Sequence, residues 1–202
     1  MIDERWTLFL DRDGVLNQDH VGGYVIDKNE FILYEGVLDA MKQFAGQFSR
    51  ILICTNQRCI GRGLLTEAGL ADIHEYLLSL LSPAGGRIDH FYFAGALEDE
   101  DPLRKPLPGM ALQALKDYPE IDFQKSIMVG NNPTDMEFAH NAGIRYRIFL
   151  TTTIDPPPYP YPYIDAHYPT LKAFADSIRD NQVPAGTDQT ISATGKAGAG
   201  KA

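Results

Sequence analysis

Short apolar runs alternate with amphipathic patterns between residues 6 and 150 of the chain. Each run has the length and composition of a strand buried on both faces, as in a parallel sheet. Five strands are therefore predicted, at residues 6–10, 51–54, 88–93, 127–129 and 144–150.

Between these strands, apolar residues recur at helical spacing. Leu70, Ile73 and Leu77 form one such stripe, which Thr66 and Glu67 open. Strands that alternate with helices predict an α/β fold, a three-layer sandwich whose central parallel sheet is covered on both faces. The predicted helices cover residues 37–48, 70–81, 108–118, 134–141 and 168–181.

Two segments depart from this alternation. Residues 155–163 (DPPPYPYPY) hold too many prolines for a regular ladder and are predicted to run extended as a stiff surface loop. Recognition by a proline-binding module is an alternative interpretation. The end of the chain is small, polar and glycine-rich. We therefore expect one domain over residues 1–181 and a disordered tail over 182–202.

The composition limits the classes of partner. The 202 residues carry a formal net charge of -9, which argues against nucleic-acid binding because that needs basic patches. A small anionic ligand would need cations focused locally. No stretch approaches the ~20 apolar residues of a membrane span. With two cysteines and no apolar run at the start, the sequence predicts a cytoplasmic protein that binds neither nucleic acid nor membrane.

Polar residues follow the predicted strands, where open parallel sheets bind their ligands. Each short motif by itself is common in ordinary turns and loops. Their order along the chain and their shared position at strand ends favour a functional site. The motifs are DRDG at residues 11–14, TNQ at 55–57, RKP at 104–106 and GNNPTD at 130–135.

Two carboxylates lie two positions apart, at Asp11 and Asp13. In extended backbone such positions point to the same side, so both can address one reacting centre. One carboxylate can attack phosphorus to form an aspartyl-phosphate, while the other protonates the leaving oxygen and later activates water. Mg²⁺ would relieve the repulsion between these acids and a phosphate. Lys105 and the Thr55 hydroxyl would stabilise the phosphoryl oxygens.

These motifs resemble the haloacid dehalogenase (HAD) superfamily of phosphatases. The matching segments are DRDGVLN (11–17), TNQ (55–57), RKPLPGM (104–110) and GNNPTDM (130–136). Within the superfamily they are most similar to the D-glycero-D-manno-heptose-1,7-bisphosphate phosphatases, and they also resemble the histidinol-phosphate phosphatases. The resemblance spans roughly residues 6–179 and implies a Rossmann-like fold.

The resemblance implies a role for each matching residue. Asp11 is the expected nucleophile and a Mg²⁺ ligand, and Asp13 the general acid/base that gives the metal its backbone carbonyl. Thr55 and Lys105 are the expected phosphoryl-stabilising pair, and Asn131 falls at the third metal position. The expected substrate-binding residues are Asp19, His20, Gly22, Asn56, Gln57, Arg58, Arg104 and Asn132.

Asn131 departs from the family pattern, which usually has Gly-Asp at the start of the fourth motif. An amide oxygen can still coordinate a hard cation, but one negative charge is missing. Two interpretations stay open: weaker metal binding with catalysis retained, or a phospho-ligand binder with little turnover. Asp135 remains available to support the metal site indirectly.

Two further departures concern whole segments. Residues 94–103 hold no cysteine or histidine where many heptose-bisphosphate phosphatases carry a zinc loop, so no structural zinc is expected. Only residues 15–35 separate the first motif from the first helix, and 94–104 is also short. Both are too short for a lid domain, and a capless fold is predicted.

The sequence therefore predicts a Mg²⁺-dependent phosphoric monoester hydrolase that is a monomer or a small homo-oligomer. The expected substrate is a sugar phosphate or bisphosphate, with D-glycero-D-manno-heptose 1,7-bisphosphate first. Histidinol phosphate or another small phosphomonoester is the alternative among enzymes. A weakly active phospho-ligand-binding protein is the alternative from another class.

Overall fold

A six-stranded sheet forms the centre of the computed structural model, which describes residues 1–20, 22–156 and 163–182. Most of the proline-rich segment 155–163, and the chain from residue 183 onward, lie outside these described residues. The strands are β1 (Thr7–Leu10), β2 (Arg50–Asn56), β3 (His90–Ala94), β4 (Ser126–Gly130), β5 (Tyr146–Leu150) and β6 (Ala166–Tyr168).

The strand order is β3-β2-β1-β4-β5-β6, and every neighbouring pair is parallel. Leu10 at the end of β1 pairs with Ile53 and with Val129, so the residues after three strands meet at one edge. The chain passes from β1 to β2 on one side and returns to β4 on the other. Ligands bind at such a reversal in open parallel sheets.

Alternate residues of each strand enter two separate cores, because successive side chains in a strand point to opposite faces. On β1, Leu8 and Leu10 join one core and Phe9 joins the other. The first core takes side chains from the helices over residues 37–47, 67–81 and 171–177, and the second from those over 109–117 and 133–142. This arrangement confirms the predicted α/β three-layer sandwich. The helices are α1 (Val37–Gln47), α2 (Arg58–Gly61), α3 (Glu67–Leu81), α4 (Gly109–Asp117), α5 (Pro133–Ala142) and α6 (Leu171–Ser177).

The predicted helix over residues 168–181 is wrong at both ends. Tyr168 ends β6, and the helix runs only over Leu171–Ser177. The Thr170 hydroxyl caps it by accepting a hydrogen bond from the Ala173 N–H at 3.0 Å. A three-residue strand carries too little periodicity to be predicted from sequence. The four-residue helix α2 was not predicted for the same reason.

The connections above the carboxyl ends of the strands are short. The described residues 11–20 and 22–36 contain one 3₁₀ turn, Lys28–Glu30, and residues 95–108 contain no helix or strand. Neither builds a further domain over the sheet, in agreement with the predicted capless fold. Within the described part of the chain, no helix is long and apolar enough to cross a membrane.

Candidate active site

A polar cavity of about 550 Å³ opens at the carboxyl ends of the central strands. Asp11 follows β1, Thr55 and Asn56 end β2, and Asn131 follows β4. All of them line the cavity. Segments that lie more than a hundred residues apart in the sequence thus supply one concave site.

Three charged side chains form the floor of this cavity: Asp11, Lys105 and Asp135. Lys105 Nζ lies 2.9 Å from Asp11 Oδ1 and 2.6 Å from Asp135 Oδ1, and it donates a hydrogen bond to the Cys54 carbonyl at 2.8 Å. The side chains of Lys105, Asp11 and Asp135 are only 2%, 13% and 1% exposed. The floor therefore holds one cation between two anions almost out of water.

Burial and pairing act in opposite directions on these groups. Burial lowers the pKa of Lys105, but Asp11 and Asp135 outweigh it, so the pKa lies above its ordinary value. Burial raises the pKa of Asp11, and the charge of Asp135 adds to this increase, while Lys105 only partly offsets it. Asp11 is thus a poorly hydrated carboxyl group beside a permanent cation.

Three neighbouring side chains donate hydrogen bonds to Asp13. Arg12, which is fully buried, donates from Nη2 to both carboxylate oxygens at 2.9 Å. Asn17 Nδ2 and Gln57 Nε2 add hydrogen bonds at 2.9 and 2.8 Å. Burial alone raises the pKa of Asp13, but Arg12 and these hydrogen bonds more than compensate, so the pKa is lowered. In this structure Asp13 is therefore an ionised, fixed group.

The end of β2 contributes one hydroxyl and two amides. The buried Thr55 Oγ1 accepts a hydrogen bond from Gln57 Nε2 at 2.9 Å, which leaves the hydroxyl hydrogen for a ligand. The Asn56 amide pairs with the backbone of Lys105: it accepts from the N–H at 3.0 Å and donates to the carbonyl at 3.1 Å. Asn56 thus fixes the chain that carries the floor lysine.

The loop after β4 is organised around Asp135. Its Oδ2 accepts hydrogen bonds from the backbone N–H groups of Asn131 and Asn132 at 3.1 and 3.0 Å. The same aspartate and Asn132 form a capping box at the start of α5. Gly130 has no room for a side chain, since a Cβ there would lie 2.3 Å from Asp135. The loop is therefore set by the residue that also pairs with Lys105.

Asn131 is 5% exposed and packs against the backbone after β1. A Cβ on Gly14, whose φ is +80°, would meet the Asn131 amide at 2.1 Å, so both conformation and space require glycine there. Asn131 Nδ2 donates a hydrogen bond to Thr153 Oγ1 at 2.8 Å. Its Oδ1 is buried and makes no hydrogen bond to any described residue.

Two further charged residues of the cavity wall, Asp99 and Arg104, form a cluster with Arg58, which lies behind Asp99, and we call this cluster the rim. Arg58 Nη2 and Arg104 Nε both bind Asp99 Oδ1, the latter at 3.2 Å. The Asp99 side chain is 79% exposed, and the two guanidinium groups hold its pKa below the usual value. Arg58 Nε and Arg104 Nη1 are buried and unpaired among the described residues, so they remain donors for an anion.

The structure brings most of the predicted site residues to the cavity wall. Three predicted site residues do not line the cavity: Gly22, His20 and Arg58. The first two lie in an exposed loop, and Arg58 contacts the cavity wall only through Asp99. Asp99 and Tyr24 line the cavity and were not predicted as site residues. The predicted site residues that line the cavity are Asp11, Asp13, Asp19, Thr55, Asn56, Gln57, Arg104, Lys105, Asn131 and Asn132.

The family of the chain follows from its sequence as well as its shape. Residues 3–143 match the model of the haloacid dehalogenase-like hydrolase family. The chain belongs to the haloacid dehalogenase-like hydrolases. The resemblance predicted from the four motifs is thereby confirmed.

Two curated relatives of this HAD-like hydrolase carry substrate names. A D-glycero-beta-D-manno-heptose-1,7-bisphosphate 7-phosphatase of Helicobacter pylori (strain J99) is 35% identical over 181 residues, which is 89% of this chain and 100% of the relative. A D-glycero-alpha-D-manno-heptose-1,7-bisphosphate 7-phosphatase of Mycobacterium bovis is 36% identical over 146 residues, 70% of this chain and 77% of the relative.

Solved structures of HAD-like proteins share the fold. A D,D-heptose 1,7-bisphosphate phosphatase from B. bronchiseptica, complexed with magnesium and phosphate, has a TM-score of 0.76 at 26% identity and covers 88% of this chain and 99% of its own. A putative HAD-like phosphatase from Mesorhizobium loti has a TM-score of 0.70 at 26% identity, with 90% of each chain covered.

The donors in this HAD-like site suit a hard cation. The buried Oδ1 of Asn131 is an acceptor with no donor among the described residues, and Asn131 lies in the same cavity wall as Asp11 and Asp13. Mg²⁺ prefers such oxygen ligands. The described residues contain no group of three His, Cys, Asp or Glu side chains that could hold a metal. The oxygen groups at this wall that could bind Mg²⁺ therefore differ in kind and include the carboxylate of Asp11 and the amide oxygen of Asn131.

Proposed function

We propose that this chain is a Mg²⁺-dependent phosphatase that hydrolyses a sugar phosphate or bisphosphate through an aspartyl-phosphate intermediate. The observation that carries this proposal is the floor of the cavity, where Lys105 holds the Asp11 carboxylate at 2.9 Å with Asp13 two residues away. The best candidate substrate is D-glycero-D-manno-heptose 1,7-bisphosphate, as the names of the curated relatives suggest.

In the first step, Asp11 forms a bond to phosphorus and the ester oxygen leaves. Asp11 Oδ1 is already engaged by Lys105 and by the Arg12 N–H at 2.8 Å, so Oδ2 is the attacking atom. Lys105 and the Thr55 hydroxyl bind phosphoryl oxygens and stabilise the charge that builds on them. The product is an aspartyl-phosphate and an alkoxide that needs a proton.

Asp13 supplies and then recovers that proton. An incoming phosphate dianion raises the pKa of a nearby carboxyl group and so favours the protonated form that the first step needs. Once the alcohol has left, the ionised Asp13 takes a proton from the water that attacks the aspartyl-phosphate. Arg12, Asn17 and Gln57 restore the carboxylate to the position seen here.

Mg²⁺ would be held by Asp11, the Asp13 carbonyl and the Asn131 amide oxygen. When bound, it offsets the repulsion between the carboxylates and the substrate phosphate. Among the described residues, Lys105 alone forms ion pairs with the two floor carboxylates, Asp11 and Asp135. A second source of positive charge is therefore needed before a phosphate dianion can approach.

The rim favours a substrate with a second anionic group. Arg104 lines the cavity and Arg58 lies beside it through Asp99, and each has an N–H donor that finds no partner among the described residues. A second phosphate on a sugar would bind to such guanidinium groups more strongly than a hydroxyl does. This supports a bisphosphate over a simple phosphomonoester.

The test is a screen for phosphate release with Mg²⁺ present. We expect release from heptose 1,7-bisphosphate, dependence on Mg²⁺, and at least about a thousandfold lower rate in Asp11→Asn because the nucleophile is lost. Asp72→Asn, an exposed change on α3, is the matched control and should keep the wild-type rate. A higher kcat/KM for histidinol phosphate would move the assignment to that substrate.

A phospho-ligand-binding protein with little turnover is the second candidate. The missing charge at Asn131 favours it, since an amide binds a divalent cation more weakly than a carboxylate. Measurable binding of sugar phosphates without turnover of any phosphomonoester would select this candidate. It would also overturn the phosphatase proposal.

We further propose that the protein acts in the cytoplasm as a monomer or a small homo-oligomer. Cys54 and Cys59 are free thiols buried in the fold, which suits a reducing compartment. Gel filtration with light scattering measures the oligomeric state.

A further inference from the structure

We infer that Thr153 is a positioning residue that orients the Asn131 amide so that its oxygen, rather than its nitrogen, faces a bound cation. The inference rests on the proposed function only in taking that cation to be the Mg²⁺ of the phosphatase. It assigns a role to a residue that lies outside all four motifs and follows β5.

An asparagine at a metal position has a problem that an aspartate does not have. Its two terminal atoms differ, because one is an acceptor and the other carries two N–H donors. Only the oxygen can coordinate a cation. A rotation of the amide by half a turn would therefore replace a ligand by a group that repels the metal.

The hydrogen bond from Asn131 Nδ2 to Thr153 Oγ1, at 2.8 Å, removes this ambiguity. A hydroxyl can accept or donate, so the rest of the environment decides between the two orientations. In the orientation seen, the atom left without a partner is Oδ1, a single acceptor. The reverse orientation would bury two N–H donors without an acceptor, which costs more.

The segment that carries Thr153 is anchored to the loop that holds the two catalytic carboxylates. The Thr152 hydroxyl donates a hydrogen bond to the Gly14 carbonyl, one residue after Asp13. The Asn131 amide also packs against Gly14, where a Cβ would lie 2.1 Å from Nδ2. Gly14 therefore contacts both the amide and the residue before Thr153, which ties the position of the Thr153 hydroxyl to that of the proposed ligands.

The experiment measures Mg²⁺ affinity by isothermal titration and by the Mg²⁺-dependent shift of the unfolding midpoint. Thr153 is exposed, so Thr153→Val should fold normally. We expect Mg²⁺ binding to weaken about tenfold in Thr153→Val, the usual cost of losing a partner of a metal ligand. Thr153→Ser keeps the hydroxyl and should stay within about twofold of wild type.

The decisive comparison repeats the change in an Asn131→Asp background. A carboxylate presents an oxygen in either orientation, so Thr153→Val should then weaken Mg²⁺ binding less than about threefold, and Asn131→Asp alone should tighten it. In activity assays, Thr153→Val should raise the Mg²⁺ concentration for half-maximal rate and leave kcat at saturating Mg²⁺ unchanged. Thr151→Val is the control, since the Thr151 hydroxyl makes no hydrogen bond to the described residues.

Two results would overturn the inference. One is unchanged Mg²⁺ affinity in Thr153→Val, and the other is an equal loss of affinity whether position 131 carries the native asparagine or the Asn131→Asp change. Neither result depends on turnover, because binding is measured directly. Absence of phosphate release by the wild type would overturn the proposed function and leave the binding comparison intact.

Discussion

The floor and the rim of the cavity use charge in opposite ways. On the floor, Lys105 lies between Asp11 and Asp135 with almost no exposed surface. On the rim, Arg58 and Arg104 share one aspartate that is 79% exposed. Buried charges need every partner in place, whereas exposed ion pairs are screened and contribute little. In the proposed phosphatase, the buried part of the site therefore carries the chemistry and the exposed part the choice of substrate.

Removal of the floor cation should have the largest effect. Lys105→Met leaves Asp11 and Asp135 facing each other without a counter-ion, and removes a phosphoryl-stabilising group. We expect kcat to fall about a thousandfold and the free energy of unfolding to drop by about 3–5 kcal/mol. Urea unfolding and phosphate release measure the two effects. Lys116→Met, an exposed change on α4, is the control. Equal effects in the two variants would contradict the greater importance of the buried lysine.

Asp135→Asn should come next. The amide can accept hydrogen bonds from the Asn131 and Asn132 N–H groups but cannot pair as an anion with Lys105. We expect a tenfold to hundredfold loss of activity, of about the size found for groups that orient a ligand, with the loop after β4 still folded. A wild-type kcat in this variant would mean that the second floor carboxylate has no influence on Lys105.

His74 packs against Arg12, the residue that holds Asp13, and its burial predicts how stability depends on pH. Its Nε2 lies 3.4 Å from Arg12 Nη1, and its ring stacks on Phe91. Burial, and to a smaller extent the charge of Arg12, lower the pKa of His74 to about 3. As pH falls below about 6.5, His74 takes up a proton in the unfolded chain but not in the folded one. The free energy of unfolding therefore decreases. The slope from this group is about 1.4 kcal/mol per pH unit. Urea titrations at several pH values measure it.

The matched comparison for that slope uses two histidine variants. His74→Gln should lose this part of the acid sensitivity while His90→Gln, at an exposed position, should keep it. An unchanged pH dependence in His74→Gln would show that the sensitivity arises elsewhere.

A change in the rim should have the smallest effect, and it should act on substrate binding rather than on the chemical step. Arg58→Gln removes one partner of Asp99. We expect KM for a sugar bisphosphate to rise about fivefold, which corresponds to about 1 kcal/mol, with kcat and stability little changed. KM for the matching monophosphate should not move. A fall in kcat instead would show that Arg58 affects the chemical step, and would contradict the proposed division between floor and rim.

The sequence was sufficient for the parts of the site that are local. Motif order and strand ends predicted that Asp11, Thr55, Lys105 and Asn131 would meet, because parallel strands bring their carboxyl ends to one edge. The five longer strands were also predicted, since each is a continuous apolar run. Their predicted boundaries lie within two residues of the observed ones.

The parts that could not be predicted depend on contacts between distant segments. Asp99 lies in a run of acidic residues that has the pattern of a solvated loop, and only the fold brings it to Arg58 and Arg104. Thr153 follows β5 without any motif, and its contact with Asn131 spans 22 positions. Asp135 was noted as a supporting group, but its ion pair with Lys105 required the geometry.

The reciprocal hydrogen bonds between the Asn56 amide and the Lys105 backbone have a consequence for how such enzymes diversify. The Lys105 backbone is anchored to β2 by these bonds, and the segment just before it is held by Asp101 and Pro102, whose carbonyls accept hydrogen bonds from the Arg104 and Gly109 N–H groups. Residues 96–100 lie before these contacts and can therefore change in composition while Lys105 keeps its place in the proposed site. New specificities can arise in that stretch by mutation or by design without rebuilding the reaction centre.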